Sequence, residues 1–333
     1  MKTMHTRFKA YRTEELGGRY VSSIKDMAFT ALQNDELRVK VHYSSLNYKD
    51  ALSASGNRGV TRQYPHTPGI DAVGVVEQST STAFKRGESV IVTSYDLGMN
   101  TDGGFAEYIQ VPAAWAVKLP EALTMKEAMI YGTAGLTAGM SVMRLAEQVK
   151  PGDGKIAVSG ATGGVGALSI AMLSKLGYSV IAITGKESES AYLQRLGVQE
   201  IMLRSDIENF DQKPLLKPLF AGAVDTVGGV ILQNIIKATL PMGTVTCCGN
   251  VASPELELTV FPFILRGVSL IGIDSQNYPM PFREKVWNKL AGEWKPEQLA
   301  TTCNEVALDG LSEKIALMLQ GKLKGRTVVK IAQ

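Results

Sequence analysis

A run of glycines behind a short apolar segment is the part of the sequence whose residue types and spacing point most directly to chemistry. Gly160, Gly163, Gly164 and Gly166 follow Ile156-Ala157-Val158. This spacing allows a tight turn, a close backbone approach to a diphosphate and close helix packing, while the first amides of the next helix face the anion. The pattern predicts a dinucleotide-binding turn. The alternative is an ordinary strand-turn-helix connection with no ligand.

The residues after the next predicted strand indicate which dinucleotide is bound. In enzymes that prefer NAD, an acidic residue at this place accepts a hydrogen bond from the ribose 2′-hydroxyl. Here Ser179–Ile183 is followed by Thr184, Gly185 and Lys186, and Arg204 follows a third predicted strand. Two cations suit a 2′-phosphate, so we predict NADPH rather than NADH. The alternative is that Lys186 is a solvated surface lysine.

Two kinds of periodicity describe the elements that must position these residues. In Glu36–Tyr43 the apolar residues occupy odd positions and the polar ones even positions, which is typical of a half-buried strand. Further short strands and turns continue to about residue 125 and predict a twisted barrel. Thr124–Glu127 is a capping box, which predicts the start of a helix. Helical and strand patterns alternate from there to about residue 267.

We therefore predict an α/β fold with two domains. A doubly wound parallel Rossmann sheet is expected in residues 126–267, and residues 1–125 and 268–333 are expected to form the β-barrel domain. The strand Ser269–Ile273 is assigned to the barrel domain in this division.

Composition limits the classes of function. The 333 residues are 45% hydrophobic and 20% charged, which is typical of soluble globular protein. A net charge of +3 is too small to favour a nucleic-acid or membrane partner. The start, Met1–Arg7, has no apolar signal-peptide core, so we predict a cytoplasmic protein. Three cysteines and three histidines show no disulfide framework and no metal-ligand spacing, so we predict no metal.

Seven blocks, in one order, carry a resemblance that covers nearly the whole chain. They are Ser44–Asp50, Pro68–Asp71, Gly103–Tyr108, Gly132–Ala138, Phe261–Gly267, Gly272–Ser275 and Gly325–Thr327. With the glycine turn, they resemble the medium-chain dehydrogenase/reductase superfamily in its zinc-free quinone oxidoreductase division. The nearer likeness is to the acryloyl-CoA reductase branch, whose members also carry the name putative quinone oxidoreductase. The resemblance implies a GroES-like β-barrel domain beside the Rossmann domain.

The zinc alcohol dehydrogenases of the superfamily have a catalytic cysteine at the position of Asn47 and a histidine ligand at that of Ile70. Neither residue of this chain can replace those groups. The resemblance instead implies metal-free hydride transfer from NADPH to the β-carbon of acryloyl-CoA, giving propanoyl-CoA. Negative charge on the thioester oxygen then needs hydrogen-bond donors. Our catalytic candidates are the Asn47 amide and the Tyr48 hydroxyl, with Tyr48 or water as the proton source.

The resemblance also assigns cofactor contacts, and two departures weaken it. The matching positions are Tyr48, Thr162, Gly163, Gly164, Val165, Thr184, Gly185, Lys186, Arg204, Asn250, Ile264 and Ser275. Many relatives have arginine in place of Lys186, and an asparagine in place of Gly321. The alternative for Asn47 and Tyr48 is that they only end a strand and hold a loop. We expect Asp71, after a Pro-Gly turn, to be a structural acceptor.

Two other functions remain open. An enzyme of the same class that reduces quinones or free enones is one alternative. Such an enzyme does not need to hold the CoA phosphates, for which Arg58, Arg62 and Arg283 are the candidates. A protein that binds NADPH without turnover is the third alternative, because a fold and a cofactor do not prove catalysis. The resemblance further implies a homodimer formed through an edge strand of the nucleotide domain.

Overall fold

The computed structural model describes residues 7–331, so the prediction about the first six residues concerns a part of the chain outside this range. In chain order the strands and helices are β1 (Arg7–Leu16), β2 (Arg19–Ala28), β3 (Glu36–Leu46), α1 (Tyr48–Ala54), β4 (Asp71–Ser79), β5 (Ser89–Thr93), β6 (Tyr108–Pro112), β7 (Ala116–Lys118), α2 (Met125–Ala146), β8 (Lys155–Ser159), α3 (Gly164–Lys175), β9 (Ser179–Thr184), α4 (Ser190–Arg195), β10 (Glu200–Leu203), α5 (Arg204–Glu208), β11 (Phe220–Asp225), α6 (Gly229–Lys237), β12 (Thr239–Cys247), α7 (Phe261–Arg266), β13 (Ser269–Gly272), α8 (Met280–Ala291), β14 (Cys303–Ala307), α9 (Leu311–Leu319) and β15 (Arg326–Lys330).

The contacts divide these elements into two compact units. The first unit extends to Thr133 and also includes Gln276–Lys285 and the chain from Leu299 onward. The second comprises Ala134–Ser275 and Val286–Gln298.

Strands dominate the first unit. Seven of them form one sheet in the order β14-β15-β3-β4-β5-β7, with β6 paired to β3, and β1 and β2 form a separate hairpin. The alternation predicted for β3 is confirmed, because Leu37, Val39 and Val41 are buried in the core of this unit. At its end the strand is buried on both faces, from Ser44 to Leu46, and it leads directly into α1. β3 therefore positions the residues around Asn47.

The second unit is built around a parallel sheet of six strands. Their order, β10-β9-β8-β11-β12-β13, is the doubly wound Rossmann arrangement. Ile156, Ala157 and Val158 of β8 are fully buried, as expected for a central parallel strand covered on both faces. The predicted strand before the glycine turn, and α3 after it, are thereby confirmed.

The start of α2 is also confirmed. Thr124 N donates to Glu127 Oε2 at 2.9 Å, and Glu127 N donates to Thr124 Oγ1 at 3.2 Å, which completes the capping box. The helix is broken at Gly132, where φ is 51° and ψ is −153°.

One predicted assignment differs from the structure. β13 pairs in parallel with β12, so it belongs to the six-stranded sheet and not to the first unit. A short apolar strand carries no local signal for which sheet it joins, because that choice depends on its neighbours in space. Between residues 7 and 331, no helix combines the length and apolar character that crossing a membrane requires.

Candidate cofactor and active site

The turn between β8 and α3 is shaped by positions that tolerate only glycine. Gly160 has a φ of 58°, and a Cβ there would be 2.2 Å from Thr226 Oγ1. A Cβ at Gly166 would be 2.4 Å from the carbonyl oxygen of Gly160. Gly163 precedes α3, and Gly164 is the first residue of this helix. At these two positions no side chain covers the first helical amides. This arrangement fits a diphosphate.

A buried clamp that the sequence analysis missed supports this turn. Ser159 Oγ donates to Asp225 Oδ1 at 2.6 Å and accepts from Thr226 N at 2.9 Å. Asp225 Oδ2 accepts from Gly228 N at 2.8 Å. Burial raises the pKa of Asp225, while these hydrogen bonds favour its charged form. The clamp ties the end of β8 to the loop after β11, and no local pattern in the sequence indicates the pair.

The predicted 2′-phosphate residues lie at the ends of β9 and β10. Lys186 N donates to Thr184 Oγ1 at 3.0 Å, which shapes the chain just after β9. The guanidinium of Arg204 lies 3.2 Å from the place where a Cβ on Gly185 would be. Arg204 forms one long ion pair with Glu208, 3.9 Å, on an exposed surface, which is worth little. Its guanidinium is therefore available to an anion.

A groove of about 660 Å³ opens at the carboxyl ends of β12 and β13. Open parallel sheets bind ligands at this edge. Asn250 lies among its lining residues, and its contact with the cofactor stays a prediction; Cys248 and Asp274, which were not predicted, also line it. Ile264 and Ser275 are not part of this lining. Ile264 is 68% exposed on α7, and Ser275 Oγ accepts from Thr137 Oγ1 at 2.8 Å.

The two predicted catalytic residues differ in what they present to a substrate. The amide of Asn47 donates one hydrogen to Ser45 O at 3.2 Å and the other to Asp71 Oδ2 at 2.7 Å. Its oxygen accepts from Arg326 at 3.0 Å. Both amide hydrogens are therefore used inside the protein. Tyr48, the first residue of α1, is 46% exposed.

Two buried carboxylates lie beside Asn47. Asp71 accepts from Ser45 and Thr133 as well as from Asn47, which confirms its predicted structural role. Asp50 accepts from the backbone amides of Asn47 and Ile70, at 2.7 and 2.8 Å. Burial, and then the charge of Asp71, raise the pKa of Asp50 to about 7, although these backbone donors act in the opposite direction.

The residues at the metal positions of the zinc enzymes do not fit zinc. Asn47 uses its carboxamide in the bonds just described, and Ile70 is a buried apolar side chain. In the part of the chain that the structure describes, no three histidine, cysteine or acidic side chains are grouped as metal ligands. Burial also raises the pKa of Cys248 to about 12, which favours the neutral thiol.

The three arginines considered for CoA phosphates occupy different surroundings. Arg283 is buried, and its guanidinium donates to the carbonyl oxygens of Thr93 and Gln276 at 3.1 and 2.9 Å. The Arg283 guanidinium therefore forms hydrogen bonds within the protein interior. The guanidinium of Arg58 pairs with Glu15 at 2.5 Å. Arg62 is exposed.

Comparison with known proteins agrees with this architecture. A family model for the alcohol dehydrogenase GroES-like domain matches residues 33–121, and a model for zinc-binding dehydrogenases matches residues 164–292. These matches confirm the predicted fold class. The putative quinone oxidoreductase YhfP of Bacillus subtilis is 42% identical, over 98% of this chain and all of the relative. The acrylyl-CoA reductase AcuI of Ruegeria pomeroyi is 38% identical, over 96% of this chain and 97% of the relative.

Two solved structures are similar over almost their whole length. The yhdH oxidoreductase of Salmonella enterica in complex with NADP has a TM-score of 0.94 and 39% identity, covering 97% of this chain and 100% of that one. The Bacillus subtilis protein yhfP with NAD bound has a TM-score of 0.95 and 42% identity, covering 98% and 100%. With the glycine turn, the Rossmann strand order and the replaced zinc positions, these matches show that the chain belongs to the medium-chain dehydrogenase/reductase superfamily, in the zinc-free branch that it shares with YhfP and AcuI.

Proposed function

We propose that this protein is an NADPH-dependent reductase that saturates the carbon-carbon double bond of a short α,β-unsaturated acyl-CoA, with acryloyl-CoA as the first candidate. The observation that carries the proposal is a dinucleotide turn followed by two cations, in a chain whose zinc positions hold Asn47 and Ile70. The 38% identity to an acrylyl-CoA reductase over nearly the full length supports this substrate class.

The choice of NADPH rests on the residues after β9 and β10. Lys186 and Arg204 place positive charge there, and the first acidic residue after the strand is Glu187, which follows Lys186. A guanidinium suits a phosphate better than a ribose hydroxyl. The NADP in the Salmonella enterica relative supports this choice, whereas the NAD in the Bacillus subtilis relative makes a direct test necessary.

When bound, NADPH supplies the hydride that adds to the β-carbon, and a proton must reach the α-carbon. The negative charge that develops on the thioester oxygen is stabilised by donors already in place. We assign this role to the Tyr48 hydroxyl, because Tyr48 is 46% exposed whereas both amide hydrogens of Asn47 are bonded internally. Tyr48 or water delivers the proton. The contact of Tyr48 with the cofactor stays a prediction.

Parallel acceptor assays test the substrate. Purified protein is mixed with NADPH, and the loss of nicotinamide absorbance is followed with acryloyl-CoA, crotonyl-CoA and a simple quinone. We expect the highest kcat/KM with acryloyl-CoA. A preference for the quinone would favour the second candidate, a quinone or enone reductase, which the 42% identity to YhfP supports. Binding of NADPH without oxidation by any acceptor would favour the non-catalytic alternative.

A Tyr48→Phe variant tests the donor. It removes only the hydroxyl, so kcat should fall by about 10²-fold while KM for the acceptor changes little, if the hydroxyl acts in the transition state. The same kcat in the variant and the wild type would rule out this role. The urea midpoint of unfolding is the control on folding, because Tyr48 is itself a predicted cofactor contact and NADPH affinity could change with it.

Two variants test the predicted preference for NADPH over NADH. Arg204→Ala and Lys186→Ala should each raise KM for NADPH about tenfold or more and leave KM for NADH nearly unchanged, because NADH lacks the 2′-phosphate that these cations are proposed to bind. Arg195→Ala is the matched control, since Arg195 is an exposed arginine of α4. Equal effects on both cofactors would contradict the assignment.

The resemblance also predicts a homodimer. β13 ends the six-stranded sheet, and Ile264 and Leu265 of α7 are 68% and 63% exposed. An open edge beside exposed apolar side chains favours pairing with a second copy. Size-exclusion chromatography with light scattering tests this, and a monomer at micromolar concentration would contradict it. The cytoplasmic location stays a prediction.

A further inference from the structure

Arg326, the first residue of β15, is a buried guanidinium that reaches three parts of the first unit. Its side chain is 3% exposed. Nε donates to Ile130 O at 3.0 Å, and one terminal nitrogen donates to Leu46 O at 3.2 Å and to Asn47 Oδ1 at 3.0 Å. The other terminal nitrogen donates to Ser45 Oγ at 2.7 Å. A planar fork is needed to meet acceptors in these separate directions.

Asp71 is the counter-charge of this guanidinium and shares two of its partners. One carboxylate oxygen lies 3.7 Å from Arg326 and accepts from Ser45 Oγ at 2.6 Å and from the Asn47 amide at 2.7 Å. A Cβ on Gly132 would be 2.4 Å from the same oxygen, so the backbone of α2 closes the site on this side. A buried ion pair is a poor source of stability. We therefore attribute the pair of Arg326 and Asp71 to fixing the position of Asn47 rather than to stabilising the fold.

The pair leaves Asn47 no freedom. Its side chain is held by Ser45, Asp71 and Arg326, and its backbone N donates to Asp50 Oδ2 at 2.7 Å. The backbone oxygen of Asn47 accepts the first hydrogen bond of α1, from Asp50 N at 3.1 Å. Tyr48 follows directly as the first residue of this helix. The direction of the Tyr48 side chain therefore depends on how Asn47 is held.

We propose that Arg326 and Asp71 are positioning residues for Tyr48: they hold the Asn47 carboxamide, and through it the first turn of α1, so that the Tyr48 hydroxyl stands at one fixed point. This inference rests on the proposed function, in which that hydroxyl meets the substrate oxygen. A donor fixed before the substrate binds loses less entropy in the transition state, and a misplacement of about 1 Å can cost 10²-fold in rate.

Arg326→Lys is the variant that separates position from charge. Lysine keeps a cation beside Asp71, but its three hydrogens lie on one atom and cannot meet all four acceptors of the guanidinium. The set of hydrogen bonds that fixes Asn47 and its neighbours is then incomplete, while the charge balance is kept. Lys330→Ala is the matched control, because Lys330 is an exposed cation of the same strand.

A double-mutant cycle on kcat tests the proposal. Wild type, Arg326→Lys, Tyr48→Phe and the double variant are compared with acryloyl-CoA at saturating NADPH. We expect Arg326→Lys to lower kcat about tenfold, with KM for NADPH unchanged, and to have less than about a twofold effect once the Tyr48 hydroxyl is absent. A merely structural role would reduce the amount of active enzyme by the same factor in both backgrounds, and that result would overturn the proposal.

Hydrogen-deuterium exchange gives a readout that needs no activity. Peptides covering residues 46–54 should exchange faster in Arg326→Lys than in wild type, while peptides from the second unit and the whole Lys330→Ala variant keep wild-type rates. If wild type reduces none of the acceptors, the proposed function fails, and exchange alone decides whether Arg326 holds this turn. Unchanged exchange at residues 46–54 would overturn the positioning role even if the enzyme is active.

Discussion

Replacing Gly160 by alanine tests whether the dinucleotide turn depends on the absence of a side chain. Gly160 has a φ of 58°, and the new Cβ would lie 2.2 Å from Thr226 Oγ1. That hydroxyl donates to Ser159 O at 3.0 Å, so moving it away breaks a hydrogen bond at the end of β8. Gly177 is a matched control, because its φ is 83° and the nearest atom to its Cβ would be Pro151 Cβ at 3.9 Å.

The two substitutions share two free-energy terms, and Gly160→Ala adds two more. The left-handed conformation costs an L-residue roughly 1–2 kcal/mol, and alanine recovers about 0.4–1 kcal/mol by restricting the unfolded chain. Gly177→Ala should therefore lower the free energy of unfolding by about 1.6 kcal/mol or less. At Gly160 the overlap adds roughly 1–3 kcal/mol, and the lost hydrogen bond adds about 1 kcal/mol. We expect a total decrease of roughly 2–6 kcal/mol for Gly160→Ala.

Urea denaturation and NADPH titration measure both consequences. Gly160→Ala should unfold at a clearly lower urea concentration than Gly177→Ala, and its dissociation constant for NADPH should rise about tenfold or more, because the turn that meets the diphosphate must shift. Gly177→Ala should bind NADPH like wild type. Equal unfolding midpoints and equal affinities for the two variants would refute the argument from the Thr226 overlap.

Three further predictions concern buried polar groups. With a pKa raised from 3.8 to about 7, protonated Asp50 stabilises the fold fully below about pH 4, and this contribution is lost as the pH rises to about 7. Asp50→Asn should therefore reduce the fall in unfolding free energy between pH 5 and 8 by roughly 2–3 kcal/mol, and an unchanged slope would contradict this. Arg283→Met should lower the free energy of unfolding by about 3–5 kcal/mol, because it leaves buried carbonyl oxygens without donors. The exposed control Arg62→Met should change the free energy of unfolding by less than about 0.5 kcal/mol. Similar denaturation midpoints for the two variants would show that the Arg283 guanidinium is dispensable. Ser159→Ala should lower the free energy of unfolding by about 1–3 kcal/mol and weaken NADPH binding, because Asp225 loses a hydrogen-bond donor. A wild-type affinity for NADPH in this variant, measured by fluorescence titration, would show that the clamp does not support the turn.

Features that depend on residues close together in the sequence could be predicted from the sequence. Gly160 and Gly166 indicated the turn because only glycine allows the backbone conformation and close approach found there. The alternation in β3 and the capping box at Thr124 and Glu127 were likewise local, and the structure confirms both. The positions of Lys186 and Arg204 after their strands followed from the same βαβ pattern.

The resemblance contributed what local patterns could not. It implied a GroES-like domain, which the family model confirms, and the zinc-free branch, with which the identity to YhfP and AcuI agrees. It also proposed Asn47 as a donor to the substrate. A matched position carries no information about which hydrogen bonds the side chain makes in this chain, and here both amide hydrogens are used internally.

The sequence by itself determined that this chain forms a Rossmann sheet with a dinucleotide turn and a separate β-rich unit, because periodicity and glycine spacing act over a few residues. Only the tertiary structure decided that β13 joins the six-stranded sheet and that Arg326 holds Asn47, 279 positions earlier in the chain. A buried guanidinium must find its acceptors wherever the folded chain brings them. Partners so distant in sequence leave no local pattern, so the arrangement that orients Tyr48 exists only once the first unit has folded.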